Sequence, residues 1–297
     1  MKVRKRLKQR YRQLKLHPVT KGKEFFGLLN YILFHIKNSI IKEQVYNWIE
    51  GLKFYARKGD AGIVGNIYFG LFEFEESIFL LHFLNKEDVF LDIGANVGHY
   101  SLLMSGVKKI KSIAIEPVPK TYSQLLKNIK LNNLEQNITA INMGVSNNKG
   151  NLFFSTDKGT MDRIVTEKYP NSVKVNVDTI DSFIGDTMPI AAKIDVEGYE
   201  KFVLEGASTF FKKEEVKVLI LELNNSGKAF GISDIDIYNL VLSFGYKPYK
   251  YDPKKRMIYE LKAYNKHKFN TLFIKDYDFI IKRVKESRKI KIKGIEF

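Results

Sequence analysis

Leu91-Asp92-Ile93-Gly94-Ala95-Asn96-Val97-Gly98 stands where a short β-prone run, Val89 to Ile93, gives way to a helical pattern that starts at His99. Glycines at a strand-to-helix turn permit tight backbone geometry and let a ligand approach the helix N-terminus. The next β-prone run ends in an acid, Glu116, and an acid at the tip of a second strand can accept both hydroxyls of an adenosine ribose. The constellation points to a nucleoside. Dinucleotide sites need the G-x-G-x-x-G spacing for a bulky pyrophosphate, whereas here Asn96 fills the middle glycine position and Val97 separates it from Gly98. A cofactor with its amino-acid moiety at the turn and its ribose on Glu116 demands less room and can use Asp92 and Asn96 as polar partners. S-adenosyl-L-methionine meets that description.

Outward from this turn, short β-rich runs alternate with helical patterns, the rhythm of an open, doubly wound α/β sheet with mostly parallel strands. Strands are predicted at 112–116, 138–145, 190–196, 216–223, 246–251 and 271–274, and helices at 99–104, from Pro119 to the pair Asn132 and Asn133, at 199–211 and at 235–244 with Gly245 as stop. The rhythm breaks at 151–156 and 173–177, two β-prone runs joined by a polar stretch with Gly159, Asp162 and Arg163, which read as an inserted hairpin or loop. Glu43 to Leu84 reads as helical, with a loop at Gly59 to Gly65.

The chain has 297 residues, 44% of them hydrophobic, enough for one large core. It has no cysteine, which removes disulfide scaffolds, thiolate zinc sites and cysteine nucleophiles and fits a cytoplasmic location. The net charge of +16 sits at the ends: residues 1–23 contribute +10 and residues 282–297 contribute +5, leaving a nearly neutral body. Such runs are commonly solvated, frayed termini. After the first comes an apolar, aromatic-rich segment, Phe25 to Ile36, too short and too interrupted by Asn30 and His35 to span a bilayer. No small-residue cleavage site follows it. It is expected to pack on the main domain, with a peripheral seat at the inner membrane face, or on a glycan-assembly complex, as the alternative.

At this point the chain resembles the FkbM-type methyltransferase family. The matching pieces are Phe72 to Glu75, Asp92-Ile-Gly-Ala-Asn-Val-Gly98, Glu116-Pro117, Asn142 to Ser146, Val177-Asp-Thr-Ile-Asp181, Lys193-Ile-Asp-Val-Glu-Gly198 with Glu200 and Gly206-Ala207, Leu221-Glu222 and Asn270-Thr-Leu-Phe273. The resemblance implies a Rossmann-like seven-stranded methyltransferase sheet, mostly parallel with an antiparallel last strand, over residues 65–276. A basic, helical N-terminal extension (1–64) and a basic C-terminal helix or tail (277–297) then flank it. It further implies S-adenosyl-L-methionine as methyl donor, held by Asp92, Gly94, Ala95, Asn96, Gly98, Glu116, Pro117, Asn142 and Met143. O-methylation of a sugar, a glycan or a glycosylated small molecule is the implied reaction.

Independently of the family, Asp195, Glu197, Glu222 and Asn224 fall at or just beyond the carboxyl ends of the fourth and fifth strands, where open α/β sheets bind ligands. Such oxygens can serve as general base, bind hydroxyls or ligate a hard divalent ion. Asp195, Glu197 and Glu222 are the catalytic candidates, and without a clear third acid no metal site is assigned. Glu200 reads as a cap on the next helix. His99 is expected to serve the helix rather than the chemistry, Glu73 and Glu75 either to close over the donor site or to lie on the surface, and Asp162 and Arg163 to contact the acceptor. A nucleic-acid methyltransferase is the alternative suggested by charge. The near-neutral body opposes it, as does the absence of an Asn-Pro-Pro-Tyr or Asp-Pro-Pro-Tyr segment. A non-catalytic nucleoside-binding module docked through the basic ends is a third reading, opposed by the acids of the cleft.

Overall fold

The computed structural model describes residues 2–157, 159–266 and 268–297. Its main sheet comprises β1 (Val89–Ile93), β2 (Lys111–Ile115), β3 (Ile138–Ile141), β4 (Ala191–Ile194), β5 (Val218–Glu222), β6 (Lys247–Asp252), β7 (Met257–Glu260) and β8 (Asn270–Ile274). They lie in the order β7-β6-β8-β5-β4-β1-β2-β3. The pairs from β3 to β5 are parallel, and β8 runs antiparallel between β5 and β6. The fold is the predicted Rossmann-like one, with eight strands rather than seven. The extra strand, β7, pairs antiparallel with β6 at the edge. Four residues with Tyr259 and Glu260 exposed carry too weak a pattern to announce it.

Side chains alternate across the sheet, and both faces are covered, as a parallel sheet requires. Phe90, Ala191, Val218 and Ile220 enter one buried cluster, whereas Leu91, Ala192, Leu219 and Leu221 enter the other. The first face is covered by α1 (Lys2–Leu16), α2 (Glu24–Ile40), α3 (Ala61–Phe69), α4 (Phe74–Phe83), α5 (His99–Lys108) and α6 (Pro119–Leu131), which contribute buried residues to its cluster. The second face is covered by the helices Glu200–Glu205, Ser208–Lys212 and Asp234–Ser243. The single helix expected over 199–211 is thus divided at Gly206, where a Cβ would lie 2.0 Å from the Ser146 carbonyl oxygen.

Three further expectations are corrected. Part of the helical reading of 43–84 fails: Glu43–Asn47 and Lys53–Arg57 form an antiparallel hairpin, turned through Glu50 (φ 48°) and Gly51 (φ 82°). Two asparagines, one in α6 and one just past its end, explain part of this, because Asn132 Oδ1 accepts from the Lys53 N–H and Asn128 Oδ1 from the Tyr55 N–H, both at 2.8 Å. The 59–65 stretch is largely helical, lying mostly in α3. The strand predicted over 138–145 splits, since Gly144–Val145 leaves the main sheet to pair with Ser172–Asp178. With Gly150–Ser155 and Ile164–Val165 these make a separate four-stranded sheet, the inserted hairpin of the sequence reading.

The basic ends are not frayed. Leu14 is fully buried, and the Arg10 guanidinium lies 4.5 Å from the Tyr68 ring centroid. Arg288 grips Glu50 through two hydrogen bonds of 2.7 Å, Arg283 bonds Asp88 at 2.6 Å, and Phe297 packs on Phe74. Among the described residues, no helix is long and apolar enough to cross a membrane.

The close contact at Gly206 generates a prediction. Gly206→Ala should cost about 1 to 3 kcal/mol in urea unfolding, the usual penalty of overpacking against rigid backbone. Gly150→Ala, with nothing within 4 Å of its Cβ position, should stay within about 0.5 kcal/mol.

Candidate active site

The turn after β1 is built by its neighbours as much as for a ligand. Gly94 has φ 80°, and a Cβ there would fall 1.9 Å from the carbonyl oxygen of Asp195, so β4 itself demands the glycine. Gly98 has φ 99°, and its Cβ would meet Leu125 Cδ1 of α6 at 2.7 Å. Asn96 takes the left-handed region at φ 53°, which asparagine tolerates better than most residues. Its N–H donates to Glu116 Oε2 at 3.0 Å, while the Val118 N–H donates to Oε1 at 2.9 Å. Each Glu116 oxygen therefore keeps a lone pair for a ribose hydroxyl. Burial pushes Glu116 up to about 7. Asp92 is committed differently: its Oδ2 accepts from the Ser101 N–H at 3.0 Å and hydroxyl at 2.5 Å, pinning α5 to β1, and burial raises it to about 6.

The acids at the other side of the cleft follow from strand parity. Lys193 is the register partner of Asp92 on β1 and of Ile220 on β5, so Asp92 and Lys193, with Asp195 two residues beyond Lys193 and Glu222 two residues beyond Ile220, belong to one face. Lys193 is buried to 1% exposure, and its Nζ lies 3.3 Å from Asp195 Oδ2. Burial alone would neutralise the ammonium, but Asp195, Glu73 and Glu222 outweigh it and hold the charge. Glu222 is pushed well above the carboxylate range by burial and by the neighbouring Asp195. Glu197 is raised to about 7 by burial and then by Asp195. Glu200 is a helix-start acceptor, as expected, taking the Gly198 N–H at 3.1 Å.

Most of these groups open on a cleft between the carboxyl ends of β1, β2 and β4. Asp92, Gly94, Ala95, Asn96, Glu116, Pro117, Met143, Asp195 and Glu197 line it. Gly98, Asn142 and Glu222 do not: Gly98 serves helix packing, Glu222 neighbours Asp195, and Asn142 Nδ2 donates to the carbonyls of Glu116 and Pro117 at 2.9 and 3.0 Å. Of the residues weighed as acceptor contacts, Asp162 lines the cleft and Arg163 does not. Glu73 lines it and accepts the Tyr100 hydroxyl at 2.6 Å, whereas Glu75 pairs with Lys268. Among the described residues, no group of three or more His, Asp or Glu is arranged to hold a metal ion.

Sequence reasoning missed Lys193 and Tyr100, which line the cleft, and undervalued His99. For Lys193 a signal existed, a lone lysine inside the apolar run Ala191–Ile194 with the parity of Asp195. Around His99 the hydrogens are determined by elimination. Asn66 Oδ1 accepts from the Phe72 N–H at 2.7 Å, so its amide donates to His99 Nδ1 at 3.1 Å. Nε2–H must then donate to Ser77 Oγ at 3.0 Å, and the Ser77 hydroxyl donates to the Phe72 carbonyl. Burial holds the ring neutral, down to about 3. The neutral imidazole thus joins α3, α4 and α5 where Ile63, Phe72 and Glu73 cover the cleft.

Residues 92–248, more than half of the chain, match the methyltransferase FkbM domain. The chain belongs to the FkbM methyltransferase family. It is accordingly a methyltransferase domain with S-adenosylmethionine as methyl donor, and the cleft fits that group: a buried carboxylate for ribose hydroxyls stands beside the apolar surfaces of Pro117, Met143 and Phe154. This FkbM chain is 26% identical over 153 residues to the hexuronic acid methyltransferase AglP of Haloferax volcanii, covering 49% of itself and 59% of that protein. It is 34% identical over 80 residues to a tRNA(Phe) (4-demethylwyosine(37)-C(7)) aminocarboxypropyltransferase of Pyrococcus horikoshii, covering 27% of itself and 29% of that protein. The chain thus spans less than two thirds of either relative's length. It overlays P. horikoshii TYW2 in complex with MeSAdo at a TM-score of 0.39 and 16% identity, covering 79% of this chain and 72% of that one.

The raised carboxyls make a pH prediction for the ligand-free FkbM domain. A carboxyl with a folded pKa above its unfolded value contributes stability that is complete below the unfolded pKa and is lost as pH rises through the folded one. For Glu116 that window runs from about 4.5 to about 7. Wild type should therefore lose stability relative to Glu116→Gln as pH rises from 5 to 7.5 in parallel thermal melts. A constant gap between the two would contradict the burial of this charge.

Proposed function

We propose that the chain transfers the methyl group of S-adenosylmethionine to a hydroxyl of a sugar, a glycan or a glycosylated small molecule. The observation that carries this reading is the Lys193–Asp195 pair opening on the cleft, with Glu222 against Asp195 behind it. Bound S-adenosylmethionine supplies an electrophilic methyl on a sulfonium. Glu116 would hold the ribose hydroxyls, with Asn96 and Ala95 at the turn. Lys193 keeps a positive charge beside Asp195, and Glu222, raised by burial and by Asp195, stands behind it. Asp195 can then accept the acceptor's hydroxyl proton as the oxygen takes the methyl. Holding donor and acceptor in line contributes roughly 7 to 11 kcal/mol of such a barrier, so alignment by the cleft walls carries most of the rate.

The lining acids Glu73, Asp162, Asp195 and Glu197 favour a hydroxyl-rich acceptor, because carboxylates accept from several hydroxyls at once and repel phosphates. The similarity to a hexuronic acid methyltransferase supports a sugar. A tRNA acceptor is the second reading, favoured by the similarity over 80 residues to a tRNA-modifying enzyme and opposed by the acid lining.

Asp195→Asn should leave cofactor affinity nearly unchanged in calorimetry and lower turnover on sugar acceptors by about 10² to 10⁴, the span of a lost general base. A loss under about tenfold would reduce Asp195 to a binding role. Glu116→Ala should instead weaken binding of S-adenosylmethionine and its demethylated product by roughly 1.5 to 3 kcal/mol. Chelators should leave turnover intact, since the Lys193 ammonium already neutralises the acids a divalent ion would need. Turnover on tRNA with none on sugars would replace the first reading by the second.

A further inference from the structure

α2 has two faces with different fates. Gly27, Phe34 and Asn38 are buried, and Leu28 and Tyr31 pack on the core cluster. The opposite face carries Phe26, Leu29, Leu33, Ile36 and Ile40 at steps of three and four residues, a continuous stripe along the helix. Phe25 and Phe26 are 70% and 65% exposed, Ile36 55% and Ile40 81%. A stripe of this size on a folded chain marks a surface that something covers. The helix is about 26 Å long at 1.5 Å per residue, and its inner face is committed to the protein, so it lies along a surface and does not cross one.

What the partner must be follows from the neighbouring helix. α1 packs on α2 and exposes Arg4, Lys5, Arg6, Lys8, Arg12 and Lys15. Residues 1–23 hold ten Lys or Arg and no acid. Among the described residues, no ion pair uses a cation before Arg57. A second copy is a poor partner, because a symmetric contact through α2 would set one cationic α1 near the other. Nucleic acid would engage the cations but leave Leu29, Leu33, Ile36 and Ile40 in water. An anionic bilayer surface satisfies both sets, with apolar side chains at the acyl boundary and basic ones at the headgroups.

The geometry points to α2, flanked by α1, as an in-plane docking helix for an anionic lipid surface. It packs on α3, whose Gly62 and Ile63 line the cleft, so docking would bring the membrane surface near the reaction site. The inference does not depend on the acceptor, since lipid binding is read with neither cofactor nor acceptor present.

The full chain would be sedimented with vesicles of phosphatidylcholine alone and with about a third phosphatidylglycerol. Binding is expected to the anionic vesicles only and to weaken as salt rises. Phe25→Ser/Phe26→Ser/Ile36→Ser and, separately, Lys5→Glu/Lys8→Glu/Arg12→Glu should each lower the partition coefficient at least tenfold with the melting temperature of wild type retained. Failure to bind anionic vesicles would overturn the proposal, as would binding untouched by the apolar substitutions. A wild-type dimer that these substitutions turn into a monomer would assign the face to a second copy, and tRNA binding lost with the cations but not with the apolar residues would assign α1 to nucleic acid; either would overturn it.

Discussion

The carboxyl ends of β1, β4 and β5 carry three acids on a single face, Asp92, Asp195 and Glu222, and one buried ammonium, Lys193, lies among them. Burying that many ionisable groups is expensive unless charge and hydrogen bonds are matched. Lys193 supplies the match: it leans on Asp195 and the Ile194 carbonyl at 3.3 Å, feels Glu73 and Glu222, and steadies Asp92 from the adjacent strand. The cleft depends on this cation, because without it the acids would have to neutralise one another by taking up protons. With it, Asp195 retains a cationic neighbour while burial and Asp195 push Glu222 above the carboxylate range, so the two carboxyls meet different environments.

The same site is a burden on the fold. Asp92, Glu116, Glu197 and Glu200 are all raised to about 6 or 7, chiefly by burial. At neutral pH they carry charge that the folded chain solvates less well than the unfolded one does, a cost offset in part by backbone N–H donors at Glu116 and Glu200. Covering elements limit exposure to water: the neutral His99 ties α3 to α4, and Tyr100 fixes Glu73 at the rim. Rigidity here comes from hydrogen bonds whose directions are all determined. A packed apolar cover could exclude water but could not orient Glu73.

Much of this was legible in the sequence. Strand-to-helix punctuation at Gly94 and Gly98, the acid at Glu116 and the apolar runs of β4 and β5 have local causes, namely backbone freedom, period-two patterning and chain rhythm, and these survive in one dimension. Backbone freedom and ligand approach account for Gly94 only in part, since the atom that forbids a side chain there belongs to Asp195, 101 positions away in the chain. The hairpin at Glu43–Arg57 was lost for a related reason: its edge is satisfied by Asn128 and Asn132 of a later helix.

The fold class, the family and the strand–turn–helix at Asp92–Gly98 could be read from the chain alone, because each motif behind them is made of residues close together whose patterns have few alternatives. Which acids share a face with Lys193, where Glu222 stands relative to the cleft and how His99 is protonated became visible in three dimensions alone. Whether the apolar face of α2 is covered was decided there as well. Each of these depends on which distant groups meet in a low-dielectric interior or remain in water, and charge, proton and exposure are properties of that meeting rather than of any residue alone.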